Sequence, residues 1–192
     1  PVSNIGRSSG AASWMTLFAL AARLLRQETI DAVDFAELFA FTTNLVEQGG
    51  SRRGALMLVY NVDGPVIEKF VTRKRESGRL VGANVSVGVT DSFMNFVKLH
   101  QSYINDGKQG FNDETGEAHH IWSLIVESAH ASAEPGVIFI ERYNNESNSW
   151  YYAQIEATNP CGEQGLPADG ACNLGHLVLP RFVKGDWTSS YV

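Results

Sequence analysis

The run Ala157-Thr158-Asn159-Pro160-Cys161-Gly162-Glu163-Gln164 sets one cysteine between a carboxamide and a carboxylate, each two positions away. Alternate residues of an extended segment point the same way. A locally extended loop would therefore turn Asn159, Cys161 and Glu163 toward one pocket. A sulfur, a hydrogen-bonding amide and an acid/base group would then meet a single substrate. Pro160 stiffens the backbone on one side of the sulfur, and Gly162 lets it turn on the other. The competing reading is a loop with a buried structural cysteine, because free cysteine is among the most buried residue types.

Outward from this loop, strand and helix patterns alternate. Residues 136–141 read as a buried strand, 118–132 as a helix and 105–116 as a polar surface loop. Residues 91–101 read as a helix, and 84–90 as a strand in which Val85, Val87 and Val89 alternate. Residues 66–76 form an amphipathic helix behind the turn Asp63-Gly64-Pro65. Its basic end, Arg73-Lys74-Arg75, offers either a phosphate contact or a solvated helix terminus. Residues 55–62 read as a buried strand. Asp34 and Glu37 have capping-box spacing, which predicts a helix from Asp34 to Gln48 that ends at Gly49-Gly50. Its apolar side would carry Phe35, Leu38, Phe39, Thr42, Leu45 and Val46. A further helix is expected over 14–27. Beyond the helices, 144–149 is a turn, 151–157 approaches the cysteine loop and 172–179 leaves it as another strand. Strands that alternate with helices indicate an α/β layout with parallel pairing.

The 192 residues permit one ordinary domain, and 44% hydrophobic with 19% charged residues permits a real core. No apolar run is long enough to span a membrane, and the start lacks the basic end and apolar stretch of a signal peptide. A cytoplasmic protein is therefore expected. A net charge of −6 argues against a general binder of nucleic-acid polymers, though not against a local nucleotide site. Cys161 and Cys172 are too few for a disulfide scaffold, which points to catalytic or redox-active thiols. No metal site is expected, since no second Cys or His pair stands at ligand spacing. His119 and His120 are expected to face solvent.

The cysteine run, followed by Gly170-Ala171-Cys172-Asn173-Leu174-Gly175, resembles the catalytic finger loop of ribonucleotide reductases, most closely those of the adenosylcobalamin-dependent class. Three other segments resemble that family in the expected order. Ser9-Gly10-Ala11-Ala12-Ser13-Trp14-Met15 is similar to its SGPVSFM-type helix start. Glu47-Gln48-Gly49-Gly50-Ser51-Arg52-Arg53-Gly54-Ala55 is similar to its QGGxRRGA loop, and Pro135-Gly136-Val137-Ile138-Phe139 to its PGVxF strand. In the class served by a separate radical subunit, the cysteine is more often followed by a motif that ends Glu-Ile. Glu163-Gln164 therefore favours the cobalamin class.

The resemblance implies part of a ten-stranded α/β barrel with an inward finger loop at 158–172. Residues 1–192 would be an internal fragment of that one catalytic domain. Residues 1–10 would be the remnant of an effector-site loop, and 14–48 a helical segment with an insertion of about one helix and a turn. By the same resemblance, Cys161 carries a thiyl radical, Glu163 takes the 3′-hydroxyl proton of a ribonucleotide, and Asn159 holds the substrate hydroxyls. Cys172 is one half of a reducing dithiol whose partner cysteine lies outside this chain. Gln48, Gly49, Gly50, Ser51, Arg52, Arg53 and Gly54 form the loop between effector and substrate sites. Adenosylcobalamin is the implied cofactor, bound mainly by parts this chain lacks. The implied partners are a ribonucleotide substrate (a diphosphate), a deoxynucleotide or ATP effector, a thioredoxin-type reductant and, at full length, a second copy in a homodimer. Three readings stay open beside this one. They are a catalytically incomplete nucleotide-binding fragment, a catalytic chain served by a separate radical subunit, and a cysteine hydrolase that pairs Cys161 with His176.

Overall fold

In the computed structural model, residues 31–45, 47–48, 52–106, 113–173 and 175–182 are described. The expected helix at 14–27, the 1–10 remnant and the Gly49-Gly50-Ser51 part of the Gly/Arg loop lie outside them.

Three parallel strands form the central sheet. Strand β3 (Leu56–Asn61) pairs with β4 (Ala83–Val89), and β4 pairs with β5 (Gly136–Phe139). Parallel neighbours need long crossovers, and helices provide them. Helix α2 (Ile67–Thr72), continued by the 3-10 turn Arg73–Arg75, connects β3 to β4. Helices α3 (Asp91–Asn105) and α4 (Asp113–Ser132) connect β4 to β5. Helix α1 (Ala32–Leu45) precedes a short antiparallel pair, β1 (Glu47–Gln48) with β2 (Arg52–Arg53). Helix α5 (Ile140–Glu146) follows β5 directly. Another antiparallel pair, β6 (Ala157–Thr158) with β7 (Gly165–Leu166), holds the cysteine between its strands. The described sheet is open rather than a closed ten-stranded barrel.

The period of two along the strands divides the sheet into two faces. Leu56 and Leu58 of β3 and Val85, Val87 and Val89 of β4 join the helices in the main core, with Phe70, Phe93, Val97, Ile121 and Ile125. Met57 and Val59 point the other way and pack with Ile138 and Ala157. All the large helices therefore cover one face, and the cysteine hairpin lies on the other.

Several boundaries differ from the sequence expectation. Helix α1 starts earlier, because Asp31 is its cap. The Asp31 Oδ1 accepts the N–H groups of Val33 at 2.9 Å and Asp34 at 3.2 Å, while Asp34 Oδ2 accepts the N–H of Asp31 at 3.2 Å. The capping box is thus Asp31 with Asp34, not Asp34 with Glu37. The helix also stops at Leu45 rather than Gln48, and the chain turns into the β1–β2 pair. Its buried stripe is Val33, Ala36 and Ala40, whereas Leu38 and Leu45 are exposed. Small residues on that stripe let the helix lie close to the core.

Helix α4 begins at Asp113, inside the expected polar loop. Strand β5 ends at Phe139, where α5 starts, and it is not buried as expected, since its far edge has no described neighbour. Helix α5 also takes the first half of the expected turn at 144–149. No strand follows Cys172 among the described residues, and the next element is the 3-10 turn Leu179–Phe182. His120 is exposed as expected, but His119 is half-buried and stacks on buried His100 with ring centroids 4.3 Å apart.

The basic run Arg73-Lys74-Arg75 is neither a phosphate cradle nor a solvated end. Arg73 Nε donates to Glu37 of α1 at 2.9 Å, and Lys74 binds Glu134 and the Ala83 carbonyl. Arg75 donates to Ser128 Oγ at 2.8 Å and to the Leu124 carbonyl at 3.1 Å, both on α4. Each cation ties the turn to a different element.

Candidate active site

The residues around Cys161 form a tight turn rather than an extended segment. The Gly162 N–H donates to the Asn159 carbonyl at 3.0 Å, which closes a turn with Pro160 and Cys161 at its centre. Proline suits the first central position because its φ is already fixed. Gly162 has a φ of +84°, a conformation that side chains rarely adopt, so glycine is required at this position. The expected shared face of Asn159, Cys161 and Glu163 is therefore not produced by strand alternation. Asn159 is buried at the base of the turn, whereas Cys161 and Glu163 are exposed at its tip.

Asn159 has a structural role at this position. Its N–H donates to the Gln164 carbonyl at 3.0 Å, and its Oδ1 accepts the Gln164 N–H at 2.9 Å. The side-chain oxygen is thus committed within the hairpin. The pairing continues outward as Thr158 with Gly165 and Ala157 with Leu166. Cys161 and Cys172 are both free thiols.

The hairpin is fixed to the sheet at its tip. Asn84, the second residue of β4, donates from Nδ2 to the Pro160 carbonyl. That contact is on the edge where β3 and β4 begin, since Met57 pairs with Asn84 in register. The Gly/Arg loop reaches the same edge. Gln48 pairs with Arg52 and Glu47 with Arg53 immediately before β3. Gly54 is half-buried between that pair and the strand. The fold therefore brings the cysteine turn and the arginine hairpin to one edge of one sheet, although about 110 residues separate them in sequence.

The family described as "Ribonucleotide reductase, barrel domain" matches residues 21–191. The chain belongs to that family. It is 37% identical over 158 residues to a vitamin B12-dependent ribonucleoside-diphosphate reductase of Thermoplasma acidophilum, a match that covers 79% of this chain and 20% of the relative. A protein of the same name from Mycobacterium tuberculosis is 38% identical over 165 residues, with 81% and 23% covered. A vitamin B12-dependent ribonucleotide reductase of Streptomyces coelicolor is 30% identical over 172 residues, with 72% and 17% covered. The chain thus spans about a fifth of the length of the curated relatives it matches. The match is to a barrel domain, and the three parallel strands with their connecting helices form an α/β layout that agrees with it. Among the described residues, no three His, Cys, Asp or Glu side chains could together hold a metal ion, and no helix is long and apolar enough to cross a membrane.

Sequence reasoning missed the supports of the cysteine hairpin. Tyr143, between the expected strand and turn, and Asn144, at the start of that turn, hold the return strand and the approach to β6 from α5. Asn84 looks like a strand residue among valines. Its position opposite the apolar series, on the face that the helices leave uncovered, was the available signal.

Proposed function

We propose that this chain is the cysteine-hairpin segment of a vitamin B12-dependent ribonucleotide reductase, in which Cys161 carries the thiyl radical. The supporting observation is the free, exposed thiol at the tip of a rigid turn, fixed to the sheet edge that also carries the arginine hairpin. The neighbouring backbone is immobilised by its own hydrogen bonds, and a radical group needs such fixed geometry.

In this reading the Cys161 thiyl takes the hydrogen from the 3′-carbon of a ribonucleotide and becomes a thiol. The 3′-hydroxyl proton passes to the Glu163 carboxylate, and a thiol proton of the dithiol converts the departing 2′-hydroxyl to water. Asn159 Nδ2 donates to a substrate hydroxyl. The dithiol gives two electrons and its second proton to the 2′-carbon side and becomes a disulfide, Glu163 returns its proton to the 3′-oxygen, and Cys161 then returns its hydrogen to the 3′-carbon. When bound, adenosylcobalamin supplies the radical that first takes the Cys161 hydrogen. The exposed Cys161 thiol leaves room for that approach. The substrate is a ribonucleoside diphosphate, in line with the names of the Thermoplasma and Mycobacterium relatives. The arginine hairpin reads a deoxynucleotide or ATP effector, a thioredoxin-type protein renews the dithiol, and the complete protein is a cytoplasmic homodimer.

The chain by itself is catalytically incomplete in this reading. It has two cysteines. If Cys161 carries the radical, Cys172 needs a second cysteine from elsewhere to form the dithiol. The test is Cys172→Ser in a complete reductase chain that carries this segment. Loss of the substrate 2′-hydroxyl in a single turnover, followed by a stall in steady state, is the expected result. Normal steady-state turnover would remove Cys172 from the dithiol. Hydrolysis with the 2′-hydroxyl retained would replace the reductase reading by a cysteine hydrolase.

A further inference from the structure

We propose that Asn84, Tyr143 and Asn144 are positioning residues for the Cys161 thiol; this rests on the reductase reading above. The cysteine turn is short, and its own hydrogen bonds fix its shape but not its place on the sheet. Three side chains from outside the hairpin fix the place.

Asn144 grips the root. Its Oδ1 accepts the Ile155 N–H at 2.7 Å, and its Nδ2 donates to the Ile155 carbonyl at 2.9 Å. One side chain thus replaces a strand neighbour for a buried residue two positions before β6. A second bond from Nδ2, to the Ile140 carbonyl at 2.9 Å, locks the amide itself onto α5.

Tyr143 holds the return strand. Its Oη accepts the Gly165 N–H at 2.7 Å. The ring lies so close across Gly165 that a Cβ there would sit 2.7 Å from Cζ. Glycine at 165 is therefore the space in which the tyrosine ring sits.

Asn84 holds the tip, through the carbonyl of the residue immediately before Cys161. The three supports share one base. Strand β5 pairs with β4, which carries Asn84, and runs directly into α5, which carries Tyr143 and Asn144. The Glu141 carboxylate accepts the Asp91 N–H at 2.6 Å, which ties the start of α5 to the start of α3. The thiol is thus bracketed by Pro160 and Gly165, both pinned to the same rigid unit. Hydrogen transfer between carbon and sulfur needs close, aligned approach, and a displacement of about 1 Å can cost ~100-fold in rate.

The test uses Asn84→Asp, Tyr143→Phe and Asn144→Asp in the complete reductase chain with adenosylcobalamin and a ribonucleoside diphosphate. Asn84→Asp removes the donor to Pro160. Tyr143→Phe keeps the ring and removes the acceptor. Asn144→Asp keeps the acceptor for Ile155 and removes both donors. We expect kcat to fall about 10- to 100-fold with KM within about threefold, because the radical step is displaced while substrate binding is not. Asn84→Gln, which keeps a donor, should recover part of the loss that Asn84→Asp shows. Amide exchange at Gly165 should rise about tenfold in Tyr143→Phe, with exchange in β3 and β4 unchanged. Unchanged kcat in all three variants would overturn the proposal, as would losses that scale only with the fraction of protein folded. If the wild-type protein forms no deoxynucleotide, the reductase reading falls. The rate of Cys161 alkylation by iodoacetamide then decides the bracket, upheld by a change of about threefold and overturned by an unchanged rate.

Discussion

Replacing Glu37 should destabilise the chain far more than its position on a polar helix face suggests. Its carboxylate serves two distant partners. Oε1 accepts from Arg73 Nε at 2.9 Å, and Oε2 accepts the Leu80 N–H at 3.1 Å. The two side chains of the ion pair are only 13% and 24% exposed, so water replaces these bonds poorly. Leu80 is fully buried and has a φ of 47°, a conformation that is unfavourable for a residue with a side chain. The bond from its N–H helps offset that strain. Hydrogen bonds to charged groups contribute about 1.5–3 kcal/mol each. Removing both, with partial replacement by water and by Glu76, places Glu37→Ala at about 2–4 kcal/mol. Glu37→Gln keeps one acceptor oxygen and should cost about half as much. Urea unfolding followed by circular dichroism gives the free energy, and amide exchange at Leu80 reports the bond itself. If Glu37 were instead the far member of a capping box, glutamine would serve equally well and Glu37→Gln would be neutral. A cost below about 0.5 kcal/mol for Glu37→Ala, with Leu80 exchange unchanged, would refute the hub.

Asp31→Ala should cost about 1 kcal/mol through loss of the α1 cap. Burial works to raise the Asp31 carboxyl, but the Lys69 hydrogen bond and the Asp34 and Val33 amides outweigh it and hold the group below its ordinary value of 3.8. Its contribution is therefore present above about pH 4 and lost as pH falls through the depressed value, and the acid limb of the stability curve should shrink in Asp31→Ala. His100 is held below its ordinary 6.5 by burial and by neighbouring His119. The unfolded chain takes up this proton first, so stability should decline as pH falls through about 6.5, and His100→Gln should flatten that decline. In the complete reductase, Arg52→Ala should alter effector-dependent base preference more than basal turnover, measured with each substrate and effector in turn. Equal loss under all conditions would make it a structural or phosphate-binding residue.

The parts of the fold that local pattern governs were legible in the sequence. The valine alternation of β4, the apolar run of β3 and the helical stretches of α2, α3 and α4 each emerge from a period of two or 3.6. The parts set by distant partners were not. Asp31–Asp34 and Asp34–Glu37 satisfy the same capping spacing, and only the pull of Arg73 and Leu80 on Glu37 separates them. The polar start of α4 reads as loop until Thr115 is seen buried against the body of the fold. At the candidate site, type and spacing single out Asn159, Cys161 and Glu163 as candidates. Their arrangement was not legible, because the 159–162 hydrogen bond folds the segment where alternation assumes extension. The supports from Asn84, Tyr143 and Asn144 lie 76, 22 and 11 residues from their partners, beyond any local rule.

The most direct measurement of the central claim is deoxyribonucleotide formation by Cys161→Ser in a complete reductase chain supplied with adenosylcobalamin and a dithiol. Serine keeps the size and the turn, but its O–H bond is too strong to exchange hydrogen with a ribose carbon. The thiyl reading predicts product at the background of an enzyme-free control, while substrate binding and the melting temperature stay close to those of the parent. Steady-state turnover near the parent rate would contradict it, and would move the radical chemistry away from this hairpin.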